Sequence, residues 1–179
     1  MSLYAPLGCL EVAFRNSLHE GLSVLKGTSA WYDLNPAWLS SRELDAIKAA
    51  KAELVKNNRP LDPGRIVAGL NFGFWTSLVS RSYEQVIWPA LLKSVFPHMT
   101  RSLRTRHRVA ERMHQVRNLR NRVFHHEPIW RWRDLPQKYS ELKEAIGWFE
   151  PALLRILPGA HVFDEIHSRG PASFEVDVQ

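Results

Sequence analysis

Apolar residues recur at helical spacing along most of this chain. Leu10, Phe14, Leu18, Leu22 and Leu25 stand three and four apart, lining one face of an amphipathic first helix. A loop over 27–39 follows, carrying Trp31, Tyr32, Asp33 and Pro36. Ser40 and Glu43 have the spacing of a capping box, predicting a second helix from about Ser41 to Asn58. Asn57-Asn58-Arg59-Pro60 ends it, and Asp62-Pro63 supplies the cap and first-turn proline of the next. The stretch from Pro63 to Phe96 holds most of the bulk, including Phe72, Phe74, Trp75, Leu78, Tyr83, Trp88, Leu91 and Leu92. It predicts two helices, broken near Ser80–Ser82 or at Pro89.

An arginine-rich helix is predicted from about Thr100 to His126, stopping there because Pro128 disfavours helix at Glu127. A last helix runs from about Pro136 to Trp148, with a shorter turn from Pro151 to Leu157. Beyond Pro158 the tail is mixed, and Phe174–Val178 alternates like a strand with nothing to pair with. Neither internal repeats nor low-complexity segments are present. The expectation is one all-α domain over 1–179, a helical bundle with its core at about 8–157 and a tail over 158–179.

Composition narrows the class. With 45% apolar, 23% charged and 11% aromatic residues, the chain has ample surface to bury, which argues against extended disorder. No run of eighteen apolar residues predicts a membrane span. Met1–Arg15 meets Glu11 early and lacks a basic lead-in, so no secretory leader is expected there. The single cysteine, Cys9, excludes an internal disulfide and a cysteine-rich zinc site. A reducing cytoplasm is the expected compartment, with Cys9 as a small buried residue.

Charge changes the picture more. The net charge is +6, yet Arg101–Arg133 alone carries ten arginines against Glu111 and Glu127, making that stretch +8 and the remainder −2. His107, His114, His125 and His126 fall in it as well. So concentrated a field attracts polyanions, and guanidinium groups suit bidentate contact with phosphate. The expected RNA contacts are Arg108, Arg112, Arg117 and Arg122. A solvated helix face is the plainer account of a charge run, but the scarcity of acidic partners within the stretch weighs against it.

Candidate chemistry gathers where the basic helix ends. Leu119-Arg120-Asn121-Arg122-Val123-Phe124-His125-His126-Glu127-Pro128 places an arginine five residues before a histidine. That spacing is cheap in a chain with 17 Arg and 8 His. Asn121 and His125 share a helix face, whereas Arg120 is rotated about 140° from His125 in a regular helix. The two can meet at one phosphate only if the helix end unwinds or a second chain supplies one of them. On the first helix Glu11, Arg15 and His19 form a polar row, with Asn16 beside it, next to the apolar row Leu10, Phe14 and Leu18. Glu11, Arg15 and Asn16 could wall a site; Glu11 and Arg15 could equally form a plain ion pair.

The segment 119–128 resembles the signature of the Abi-like (abortive infection) proteins, a branch of the HEPN superfamily. Leu10–Asn16 is similar to that family's opening helix and Trp31-Tyr32-Asp33 to the loop after it. Asn71–Trp75, Ser80-Arg81, Tyr83-Glu84, Trp88-Pro89, Phe96-Pro97 and Trp148 follow in familiar order, so the likeness covers about residues 10–151. The resemblance implies a HEPN-like helical bundle working as a homodimer and a metal-independent endoribonuclease of phage-defence or toxin–antitoxin type. It places Arg120, Asn121 and His125 in the motif, with His126 the alternative at the next spacing and neither metal nor cofactor required. An antitoxin or other regulatory partner would fit such a protein.

RNA brings its own nucleophile, the ribose 2′-OH, so cleavage needs proton transfers and charge stabilisation. Imidazole exchanges protons near neutrality, Arg120 can hold phosphate oxygens as charge builds, and Asn121 can orient either. Two histidines in a symmetric dimer can then serve as base and acid, leaving a 2′,3′-cyclic phosphate. The chief alternative is a helical module that binds RNA or a protein partner without cleaving. A DNA-binding regulator is less expected, since no helix-turn-helix is recognisable. His125, His126 and Glu127 make a poor metal set, because adjacent side chains on a helix diverge. His19, His98, His161 and His167 read as structural or surface residues, Phe72, Phe74 and Trp75 as core, and Gly64 and Gly69 form no phosphate loop.

Overall fold

The computed structural model describes residues 3–34 and 37–157, together with Phe163, His167 and Ser168. Among these residues the chain is helical, with no strand: α1 (Tyr4–Lys26), α2 (Ser41–Lys56), α3 (Pro63–Gly69), α4 (Phe72–Ser77), a 3-10 turn (Arg81–Tyr83), α5 (Trp88–Val95), α6 (Arg106–Phe124), α7 (Leu135–Gly147) and α8 (Leu153–Ile156). The strand-like stretch 174–178 and His161 lie outside the described residues. No described helix is long and apolar enough to cross a membrane.

α1 is the axis of the bundle, packing against α4, α5, α6 and α7. Leu10, Phe14, Leu18 and Leu22 are fully buried, as their spacing predicts. The helix begins six residues earlier than that row, because Leu3 and Leu7 are buried too. Pro6 is tolerated in the first turn, where backbone N–H groups lack intrahelical partners. Leu25, expected in the apolar row, is exposed, since the last turn of α1 runs past the core.

Phe14 sits at the centre, with ring centroids 6.1–6.3 Å from Phe72, Phe96 and Phe149. Trp31, Trp75 and Trp88 are fully buried, and each indole N–H finds an acceptor: His19 Nδ1, the Leu70 carbonyl and the Leu78 carbonyl respectively. Phe72 and Phe74 are core residues, as expected. Cys9 is half-buried, and burial pushes its thiol up, away from reactive thiolate.

The Pro63–Phe96 stretch departs from the two helices expected. Asn71 accepts from the Phe74 amide at 2.9 Å and starts a separate helix after Leu70 turns extended. The chain breaks at Ser80–Ser82, as one reading had it, while Pro89 lies in the first turn of α5 and breaks nothing. The Ser40/Glu43 pair also acts differently from a capping box. Ser40 does precede α2, but its hydroxyl donates to the Glu43 carboxylate instead of accepting from the backbone. Glu43 is buried and also accepts from Ser77 at 2.6 Å and Tyr83 at 2.7 Å, tying α2 to α4 and the 3-10 turn. Burial pushes this carboxyl up, and the three hydroxyl donors outweigh it, holding the group below its ordinary value.

The Trp31–His19 bond sets one pH dependence. His19 must accept at Nδ1, so its neutral form fits the fold; burial lowers its proton affinity, partly offset by Glu20. A histidine whose folded value is lowered contributes stability that is present above its unfolded value of about 6.5 and is lost as pH falls from there through the lower folded value. The unfolding free energy should therefore drop as pH falls below about 6.5, and drop less in His19→Gln, which still offers an acceptor. Equal drops in urea titrations of both proteins would dismiss His19 as the cause.

Candidate nucleic-acid site at the end of the arginine-rich helix

α6 starts at Arg106, later than the sequence suggests, because 101–103 is a turn and the extended Thr105 caps the Arg108 amide at 3.2 Å. Its inward seam is Val109, Met113, Val116, Leu119 and Val123. The helix stays regular through Phe124 and then closes with crossed backbone bonds, His126 N–H to the Val123 carbonyl and Glu127 N–H to the Arg122 carbonyl. Such an ending needs a left-handed residue. α1 closes the same way at Gly27 and α2 at Asn58, residue types suited to it; α6 uses His126, with φ of +56°. Pro128 is thus not what ends the helix.

α1 holds this end in place. The Tyr4 hydroxyl lies 3.1 Å from the Val123 carbonyl, to which it donates, and 3.0 Å from His126 Nδ1. Its ring meets Phe124 at 5.2 Å. Arg120 lies 4.3 Å above the other partner of that cluster, the Phe124 ring, and pairs with Glu11 at 3.3 Å. So Glu11 does stand beside the motif, and it pairs with Arg120 instead of Arg15. Arg15 donates to Asn16 at 3.2 Å, and neither residue has a hydrogen bond to the motif.

Asn121 and His125 are exposed, and among the described residues neither side chain has a hydrogen-bond partner. His125 and Arg120 are not brought together: one faces solvent, the other faces Glu11. The intact helix keeps them on separate faces, so within one chain the motif offers a free imidazole and a compensated cation.

The +8 field is also weaker than the linear count. Arg106 lies 3.2 Å from Glu84, Arg112 2.9 Å from Glu144 and Arg120 3.3 Å from Glu11, all three carboxylates coming from outside the stretch. Counting them lowers the local charge from +8 to +5. Arg108 pairs with Glu111 and Arg122 with Glu127, while Arg117 reaches Thr76 at 3.5 Å. Arg112 corrects the expectation of RNA contact outright: it is 3% exposed, donates to the Glu141 carbonyl at 2.6 Å and lies over the Trp148 ring. Its role is to bind α6 to α7. Arg101, Arg131 and Arg133 are exposed, with no carboxylate at ion-pair distance among the described residues.

Tyr4 escaped the sequence reading, although extending the α1 period back two turns puts it on the face of Glu11, seven residues on. No group of three His, Cys, Asp or Glu among the described residues converges as a metal site would require. No family model matches this chain, and no curated protein or solved structure was found similar to it. The side chains themselves are therefore what function must be read from.

Proposed function

We propose that this protein is a metal-independent endoribonuclease of the abortive-infection type, acting as a homodimer whose site is shared between copies. The observation that carries this reading is the exposed, unpartnered His125 beside Asn121 at the end of the arginine-rich helix. One imidazole takes the proton of the 2′-OH as its oxygen attacks the neighbouring phosphorus. The bond from phosphorus to the 5′ oxygen breaks, and a second imidazole protonates that oxygen, leaving a 2′,3′-cyclic phosphate and a 5′-OH. The second imidazole is His125 of the other copy, or His126 through Nε2, since its Nδ1 faces Tyr4. Arg120 stabilises the charged phosphorane once the phosphate competes with Glu11 for it.

A specific observation favours a second reading, an RNA-binding module without catalysis: Arg120 is compensated by Glu11 in the isolated chain. The test is cleavage of a mixed RNA panel in EDTA, with the product ends identified. Cyclic-phosphate ends are expected. A folded dimer that retains RNA and leaves every substrate whole would transfer the case to the second reading.

A further inference from the structure

The loop between α6 and α7 presents a feature that the nuclease reading does not use. Among the seven tryptophans, all of them described, Trp130 alone stands mostly in water, at 51% exposure. Arg131 lies against its ring, with the guanidinium carbon 4.7 Å from the centroid. Leaving an indole half in water forfeits one of the largest burial gains a side chain offers. The bundle takes that gain at Trp31, Trp75, Trp88 and Trp148 and leaves it at Trp130.

The loop is anchored where it carries Trp130. Ile129 and Trp132 pack against the core, and the Trp132 amide donates to the Ile129 carbonyl at 3.0 Å. Trp130, Arg131 and Arg133 are the exposed members of the same run. Arg131 and Arg133 have no carboxylate at ion-pair distance among the described residues. One flat aromatic face, two uncompensated guanidinium groups and an anchored backbone are what a single-stranded nucleic acid requires: a ring for the base and cations for its phosphates. His125 is five residues upstream, within a chain reach of about 18 Å.

We infer that Trp130, with Arg131 and Arg133, is a nucleobase-stacking platform that holds an unpaired base of the RNA near the His125 centre. This rests on the RNA-directed reading above and names the substrate class further, as single-stranded. A duplex keeps its bases stacked on one another and offers no face to the indole.

The test uses the full chain and two uncleavable probes: a 2′-O-methyl oligoadenylate decamer and an abasic phosphodiester chain of the same length. The parent should bind the oligoadenylate more tightly than the abasic chain, with its tryptophan fluorescence quenched. Trp130→Ala should weaken the oligoadenylate by about 5- to 150-fold, the worth of one stacked base, and lose most of the quenching. It should leave the abasic chain and the thermal midpoint unchanged, and Trp130→Phe should recover most of the affinity. A Trp130→Ala protein that binds both probes as the parent does would overturn the platform and leave the RNA reading standing. A parent that binds neither probe would overturn both.

Discussion

Replacing His125 with alanine is expected to slow RNA cleavage by about 10²- to 10⁴-fold, the usual worth of a positioned proton carrier. The substitution should cost little else. The side chain is exposed, has no hydrogen-bond partner among the described residues and lies just beyond the last helical residue of α6. RNA retention on filters and the thermal midpoint should therefore match the parent, confining the loss to the single-turnover rate. His126→Ala separates the two candidates. His126 takes part in the Tyr4 contact and holds the left-handed turn, so its loss should disturb the helix end as well as any catalysis. Cleavage at the parental rate in His125→Ala would remove the centre of the proposed mechanism. The same rate in His126→Ala would identify the second imidazole as that of another copy.

Arg112→Ala should lower the unfolding free energy by about 3 kcal/mol, because removing one partner of a buried pair strands the groups it served. What is lost here is the bond to the Glu141 carbonyl, the contact with the Trp148 face and the space the side chain filled. Glu144 is 42% exposed and can take up water, which keeps the effect at the lower end of the range for buried pairs. Arg112→Met should recover part of the loss by restoring volume. Arg108→Ala, which breaks a partly exposed pair at 3.5 Å, should cost within about 0.5 kcal/mol. Denaturant titration measures all three. A parental midpoint in Arg112→Ala, joined to weakened RNA binding, would return Arg112 to the surface role that its charge suggests.

Arg112 also shows where the sequence could be read and where it misled. The α6 seam was legible, since Val109, Met113, Val116, Leu119 and Val123 keep helical spacing. Arg112 falls three residues after Val109 and four before Val116, on that same seam, so its burial was legible too had position weighed more than charge. The partners of Arg106, Arg112 and Arg120 were not legible, because Glu84, Glu144 and Glu11 arrive through tertiary packing. α1 buries its apolar row through Leu22, and α2 and α3 begin where Ser40 and Asp62 predict. The division of 63–96 was not legible, because Asn71 capping a new helix depends on one side-chain bond that periodicity does not register. At the candidate site, spacing put Asn121 and His125 on one helix face apart from Arg120, and the intact helix keeps that separation. The compensation of Arg120 and the Tyr4 clamp depend on how α1 lies against α6.

Those cross-helix contacts also set a timetable for synthesis. Glu11 and Arg120 are 109 residues apart, and Tyr4 and Val123 are 119 apart. At about 5–20 residues per second, α1 leaves the ribosome roughly 5–22 s before the residues that complete the site. Through that interval a nascent chain holds Tyr4 and Glu11 without their partners. The end of α6 therefore acquires its Tyr4 and Glu11 contacts only when nearly the whole bundle has been made.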